Sequence, residues 1–100
     1  MDEKNVLCAG NAQSMKYYFN EEKFGNLPQA IRDELKIMTV KFLTDAGGAV
    51  TFGFNDDHEL LITTYEPADE IGAEYKIKKL QEEKADLFSR LELYHRTFFS

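Results

Sequence analysis

The sequence predicts an α+β domain, an antiparallel sheet of about four strands in two hairpins packed with two helices in the order ββαββα. Three observations lead there. Val50, Phe52 and Phe54 alternate with small residues in a run that ends on Asn55-Asp56-Asp57. Ile31, Leu35, Met38 and Phe42 recur at helical spacing. A third pattern, amphipathic and free of proline, runs from about Asp69 to Phe98. Side chains repeat every two residues on a strand and about every 3.6 on a helix, so the two signals separate along the chain.

Taken in order, Asn5 to Gly10 reads as a short strand, and residues 11–14 are small and polar, as a turn requires. Lys16-Tyr17-Tyr18-Phe19 returns with aromatics that favour strands, completing a first hairpin. The first helix opens at Asn26, an N-cap residue with Pro28 in the first turn and Gln29 three positions on. It closes at Gly47-Gly48, because glycine accepts the left-handed backbone that ends many helices. The second hairpin follows, Ala49–Phe54 out and Leu60–Tyr65 back, with Asn and Asp side chains able to bond their own backbone in between. Gly53 suggests a bulge.

From Asp69 or Glu70 the chain is expected to remain helical to about Phe98. Positions 73, 77, 80, 84, 87, 91, 94 and 98 alternate steps of four and three and are apolar except at Lys84. Pairs such as Glu74 with Lys78 and Asp86 with Arg90 lie on the other faces, in the favoured order. Roughly 29 residues at ~1.5 Å each give a rod of about 43 Å. A 100-residue globule has a radius of gyration near 13 Å. A straight rod would overhang it. The half beginning at Leu87 carries enough Leu, Tyr and Phe to cover a sheet, whereas Glu70 to Asp86 offers a thin seam of Ile77 and Leu80. A seam at heptad spacing suits a second helix in a helix-mediated dimer; the alternatives are that it packs on the first helix of the same chain or that the helix bends.

One hundred residues make a single domain, 1–100, and 43% hydrophobic residues supply a core. Twelve Lys and Arg against eighteen Asp and Glu leave a net charge of -6, with no basic cluster that would offset it. Such a field repels phosphate backbones and anionic lipid, so neither nucleic acid nor membrane is expected as a partner. Met1-Asp2-Glu3-Lys4 has none of the features of a secretory signal, and Cys8 is the only cysteine. A cytoplasmic setting is expected.

The chemistry-bearing residues form no recognisable reactive pattern. Nothing in the spacing joins Cys8 to His58 or His95 as a nucleophile and base, and a cysteine between Leu7 and Ala9 reads as a small core residue. Asn55 to Glu59 lacks the central glycine and terminal glutamate spacing of a calcium loop. Gly47-Gly48 and Gly53 make no phosphate loop. No catalytic residue, metal ligand or cofactor site is expected. Tyr18 is different. It points away from Tyr17 and Phe19 on its strand, so if that side is core, Tyr18 stands on the outer face.

Asn5-Val6-Leu7-Cys8-Ala9-Gly10-Asn11-Ala12, Lys16-Tyr17-Tyr18-Phe19-Asn20-Glu21-Glu22, Leu27-Pro28 with Ile31, Asp33-Glu34-Leu35 and Asp69-Glu70-Ile71-Gly72 together resemble a domain-of-unknown-function family. Its members are small proteins of anaerobic Gram-positive, Clostridia-type bacteria. The resemblance implies a bacterial, cytoplasmic, stand-alone domain; it brings no activity and no site residues.

The expected function is therefore a non-enzymatic protein-interaction or regulatory module. It would self-associate as a homodimer through its last helix, with Ile77, Leu80, Lys84 and Leu87 on the seam and Tyr18 as a separate contact. The alternative is a small-ligand binding domain whose pocket between sheet and helices is lined by Phe52, Phe54, Tyr17 and Phe88.

Overall fold

A computed structural model describes residues 5–99. The chain runs β1 (Val6–Asn11), β2 (Lys16–Phe19), α1 (Glu21–Phe24), α2 (Gln29–Ala46), β3 (Ala49–Phe54), β4 (Leu60–Tyr65), α3 (Glu70–Glu83) and α4 (Ala85–Phe99). The four strands form one antiparallel sheet in the order β2-β1-β3-β4. The α+β class and both hairpins are as expected. The order of elements is instead ββαα followed by ββαα, because the chain carries two more helices than its periodicity reveals.

Local chemistry accounts for each turn. The Asn11 Oδ1 accepts from the backbone N–H of Gln13 and Ser14, which folds the chain from β1 into β2. Asn20 plays the same part at α1: its side-chain oxygen accepts from Lys23 N–H, and its amide nitrogen donates to the Val6 carbonyl. That pins α1, and with it the fully buried Phe24, to the end of the sheet. Asn55 Oδ1 accepts from the N–H groups of Asp57 and Glu59 in the β3–β4 turn.

The start of α2 differs from the expectation. Its N-cap is Pro28, without a side-chain cap, and not Asn26. Leu27 N–H donates to the Phe24 carbonyl, so residues 25 and 26 belong to the turn leaving α1. Proline then serves at the helix start, where a missing N–H costs nothing. Gly47 ends α2 with φ 72° and donates its N–H to the Leu43 carbonyl.

The single long C-terminal helix is the principal correction. It breaks at Lys84 (φ −109°, ψ 19°) into α3 and α4. A 43 Å rod has no place in a body whose longest dimension is 36 Å. The break lets α3 lie against α2 while α4 turns Leu87, Phe88 and Leu91 onto the core. It falls at the one polar position of the seam, where a straight helix has least burial to lose. With the overhang gone, so is the reason for requiring a helical partner.

The core lies between one face of the sheet and the helices. Cys8, Val50, Phe52, Phe54 and Leu60 from the strands meet Leu35, Met38, Phe42 and Leu91 from α2 and α4. Between Val6 and Cys8 the β1 register shifts opposite Gly53, so Leu7 and Cys8 are both fully buried. Gly10 lets α2 come close: a Cβ there would sit 2.6 Å from the Leu43 side chain and 2.9 Å from that of Thr39.

Candidate functional site

The sequence singled out five residues, and the fold divides them. Leu87 is 6% exposed in the chain's own core, and Ile77 and Leu80 are half-buried against it. Lys84 reaches across to α2, its Nζ 3.3 Å from Glu34 Oε1. These four residues turn inward, towards the same chain. Tyr18 stands apart from them, 54% exposed on the opposite side of the molecule. Phe52, Phe54 and Phe88, expected to line a ligand pocket, are buried within the core cluster, with Tyr17 packed against it.

The outer face of the sheet is bare of any described helix. Strand register arranges it in rows. Tyr18, Ala9, Thr51 and Thr63 lie side by side across the four strands, and Lys16, Asn11, Ala49 and Tyr65 form the next row. Val6, Gly53 and Leu61 make a third row on the other side of the first. Side chains alternate between the two faces of a strand, which sets these residues opposite Phe52 and Val50. Leu61 and Tyr65 are exposed, as is Tyr18 at the far edge. Across all three rows the only ionised side chain is Lys16, in a chain of net charge -6.

A second concavity, of about 770 Å³, lies between α2 and α3 and is floored by Met38, Phe42 and Leu80. Ile37 and Tyr75 stand at its edges, each 67% exposed, with Lys41 on the rim.

The reactive side chains are separated from both surfaces. The Cys8 thiol lies 3.8 Å from Thr39 Oγ1, which itself donates to the Leu35 carbonyl. Burial pushes the Cys8 pKa up to about 11, outweighing the Thr39 hydroxyl beside it, so at neutral pH it is a thiol and a poor nucleophile. The buried Tyr17 hydroxyl lacks a hydrogen-bond partner among the described residues, and desolvation raises its pKa, the neighbouring Cys8 adding to the rise. The two histidines, which the sequence could not place, meet each other: Nδ1 to Nδ1 is 2.7 Å, so one nitrogen donates and the other accepts. The His95 ring is stacked between Phe54 (4.1 Å) and Phe99 (5.0 Å). Burial, and secondarily the proximity of His58, lowers its pKa. Among the described residues no group of three metal-capable side chains is gathered, and no helix is long and apolar enough to cross a membrane.

Residues 4–100 match a family of unknown function, DUF6145. The chain belongs to that family. No curated protein and no solved structure matches it. Family membership covers almost the whole chain, so the bare sheet face, the interhelical groove and the histidine pair all lie within the matched region.

Thr51, Leu61, Thr63 and Tyr65 were not singled out from the sequence, although Tyr18 was. For Thr51 the signal is the alternation of β3, and for Leu61, Thr63 and Tyr65 it is the period-two alternation of β4, obscured by the consecutive apolar residues Leu60, Leu61 and Ile62.

Proposed function

We propose that this chain is a non-enzymatic protein-interaction module, self-associating through the bare face of its sheet. The observation that carries the reading is that face itself, four strands wide, with Tyr18, Leu61 and Tyr65 around small residues and one charge among its three rows. Antiparallel sheets do leave one side to water, but that side is ordinarily polar. Here three large side chains stand exposed at the two edges of the face with threonines and alanines between them, and exposed aromatic and aliphatic side chains gathered on one face offer a place to dock. The last helix is a weaker route to association, since its apolar seam is spent within the chain. A bacterial, cytoplasmic setting accompanies the proposal, supported by the sequence resemblance and by a lone cysteine buried as a free thiol. Sedimentation equilibrium tests it: association between ten micromolar and one millimolar is expected, and a strict monomer throughout that range removes the self-association claim.

The groove between α2 and α3 supports a second reading, a small-ligand site, because Ile37 and Tyr75 are left exposed over an apolar floor. Ligand protection of these two side chains in a thermal-shift and NMR screen is the expected result; a screen without a shift at either residue rejects it.

A further inference from the structure

We infer that two copies of this chain pack sheet face to sheet face about a two-fold axis that runs parallel to the strands and passes between Ala9 and Thr51. The inference rests on the interaction reading above and goes further, to the occupant and its register.

The rows decide the axis. A two-fold parallel to the strands exchanges β2 with β4 and β1 with β3, while keeping each row at its own height. The row Tyr18–Ala9–Thr51–Thr63 then lies on its own reverse. Tyr18 stands over the partner's Thr63, and Ala9 over the partner's Thr51. Each large side chain meets a small one, and the small ones meet in the middle. A two-fold across the strands would set Tyr18 on the partner's Tyr18, and Leu61 on the partner's Tyr65, holding the sheets apart at their edges. Two shallow depressions agree with the first arrangement. One is bounded by Val6, Ala9, Tyr18 and Asn20 at the β2 edge, where the partner's Leu61 arrives. The other runs along Leu61, Thr63 and Tyr65 at the β4 edge, where the partner's Tyr18 arrives.

Charge points the same way. The same axis brings Lys16 over the ring of the partner's Tyr65, an arrangement in which a cation gains from the aromatic quadrupole. The three rows themselves carry no carboxylate, so two acidic molecules meeting on them bring no like-charged carboxylates together there. Packed sheets settle about 10 Å apart, and a two-fold parallel to the strands keeps the two strand sets aligned, within the range that aligned sheet packings adopt.

The footprint sets the strength. Four strands at ~4.8 Å and six residues at ~3.3 Å cover about 400 Å² per copy. A standard specific interface buries about 800 Å² per partner, so the dimer belongs to the weak, micromolar class. Screening the mutual repulsion of the two acidic bodies makes it tighter as salt is raised.

The test joins sedimentation equilibrium to cross-linking, on the full chain. A dimer that forms between ten micromolar and one millimolar is expected, weakened at least tenfold by T51R and, independently, by L61E at the edge, and unchanged by K36E on the exposed side of α2. Circular dichroism confirms that each variant is folded. A monomer throughout that range overturns both the inference and the interaction reading. A dimer indifferent to T51R and L61E places the interface elsewhere and overturns both readings of the face. For the register, Y18C protein is mixed with T63C protein and treated with a bismaleimide too short to bridge three strand spacings. Covalent dimers from the mixture but from neither variant alone are expected. Dimers from Y18C alone overturn the parallel axis and leave the interaction reading standing.

Discussion

Substituting Gly48 by alanine places a methyl group where the chain has no room for one. Gly48 lies at φ 65°, in the left-handed region, and its carbonyl accepts the Ala12 N–H at 2.8 Å. An added Cβ would overlap the Tyr65 and Glu66 carbonyl oxygens, the latter at 2.5 Å, and backbone oxygens cannot rotate aside as a side chain can. The left-handed backbone costs an L residue about 1–2 kcal/mol. Forcing the end of β4 to move adds about 1–3 kcal/mol more, as overpacking does elsewhere. The sum is about 2–5 kcal/mol, against a total of about 5–15 kcal/mol for a domain of this kind. Gly47 is the internal control. It too has positive φ, 72°, but a Cβ there would stand 3.6 Å from Ala68, at ordinary contact distance. Gly47→Ala should therefore show only the backbone cost of its own conformation (φ 72°, ψ −171°), a region nearly confined to glycine and worth about 1–3 kcal/mol. Urea unfolding followed by far-ultraviolet circular dichroism and extrapolated to water measures both variants. At about 4–8 °C per kcal/mol, Gly48→Ala should also lower Tm by roughly 8–40 °C. A Gly48→Ala variant that loses less than about 1 kcal/mol would refute the close approach of residues 65 and 66 on which the reasoning depends.

Three further outcomes are expected. His95 is held below its ordinary value of 6.5, so the unfolded chain takes up its proton first as pH falls. Stability should therefore decline on going below pH 6.5, and His95→Phe should flatten that part of a Tm-against-pH curve. Leu91, 2% exposed, should cost about 2–5 kcal/mol when truncated to alanine, measured by denaturant titration. Cys8 should resist thiol reagents in the native protein, its labelling rate tracking unfolding. Rapid modification at pH 8 would contradict its burial.

What could be read from the sequence was what the backbone decides locally. The alternation of Val50, Phe52 and Phe54 identified β3, and Gly47 stopped α2 where glycine was expected to stop it. Four-residue α1 is too short to show any period, and it is Asn20 and the buried Phe24 that hold it. Lys84 was visible as the one polar residue on a heptad seam, yet a lysine does not itself end a helix. The break comes from the competing demands of α2 and the sheet, which are tertiary. The candidate face was half legible: Tyr18 was placed on the outside by strand parity, while its row partners depend on a register that pairs β1 with β3. The His58–His95 contact joins a hairpin turn to the last helix, and no local pattern encodes such a meeting.

The pairing of β1 with β3 also sets how the chain must fold. The β1–β2 and β3–β4 hairpins each close over a short turn, a matter of microseconds. Joining them brings Ala9 to Thr51 across β2, α1 and the whole of α2, and that closure must be completed before the central contacts repay it. The 18 residues of α2 convert most of the intervening chain into a rigid strut, so few loose residues remain to be ordered. The expected rate-limiting event is therefore the zipping of the two hairpins along one seam. Refolding kinetics should slow when Cys8 or Phe52 is truncated on that seam. Truncation of Leu91 in the late-docking α4 should instead mainly speed unfolding, and equal slowing of refolding by all three would exclude this order of events.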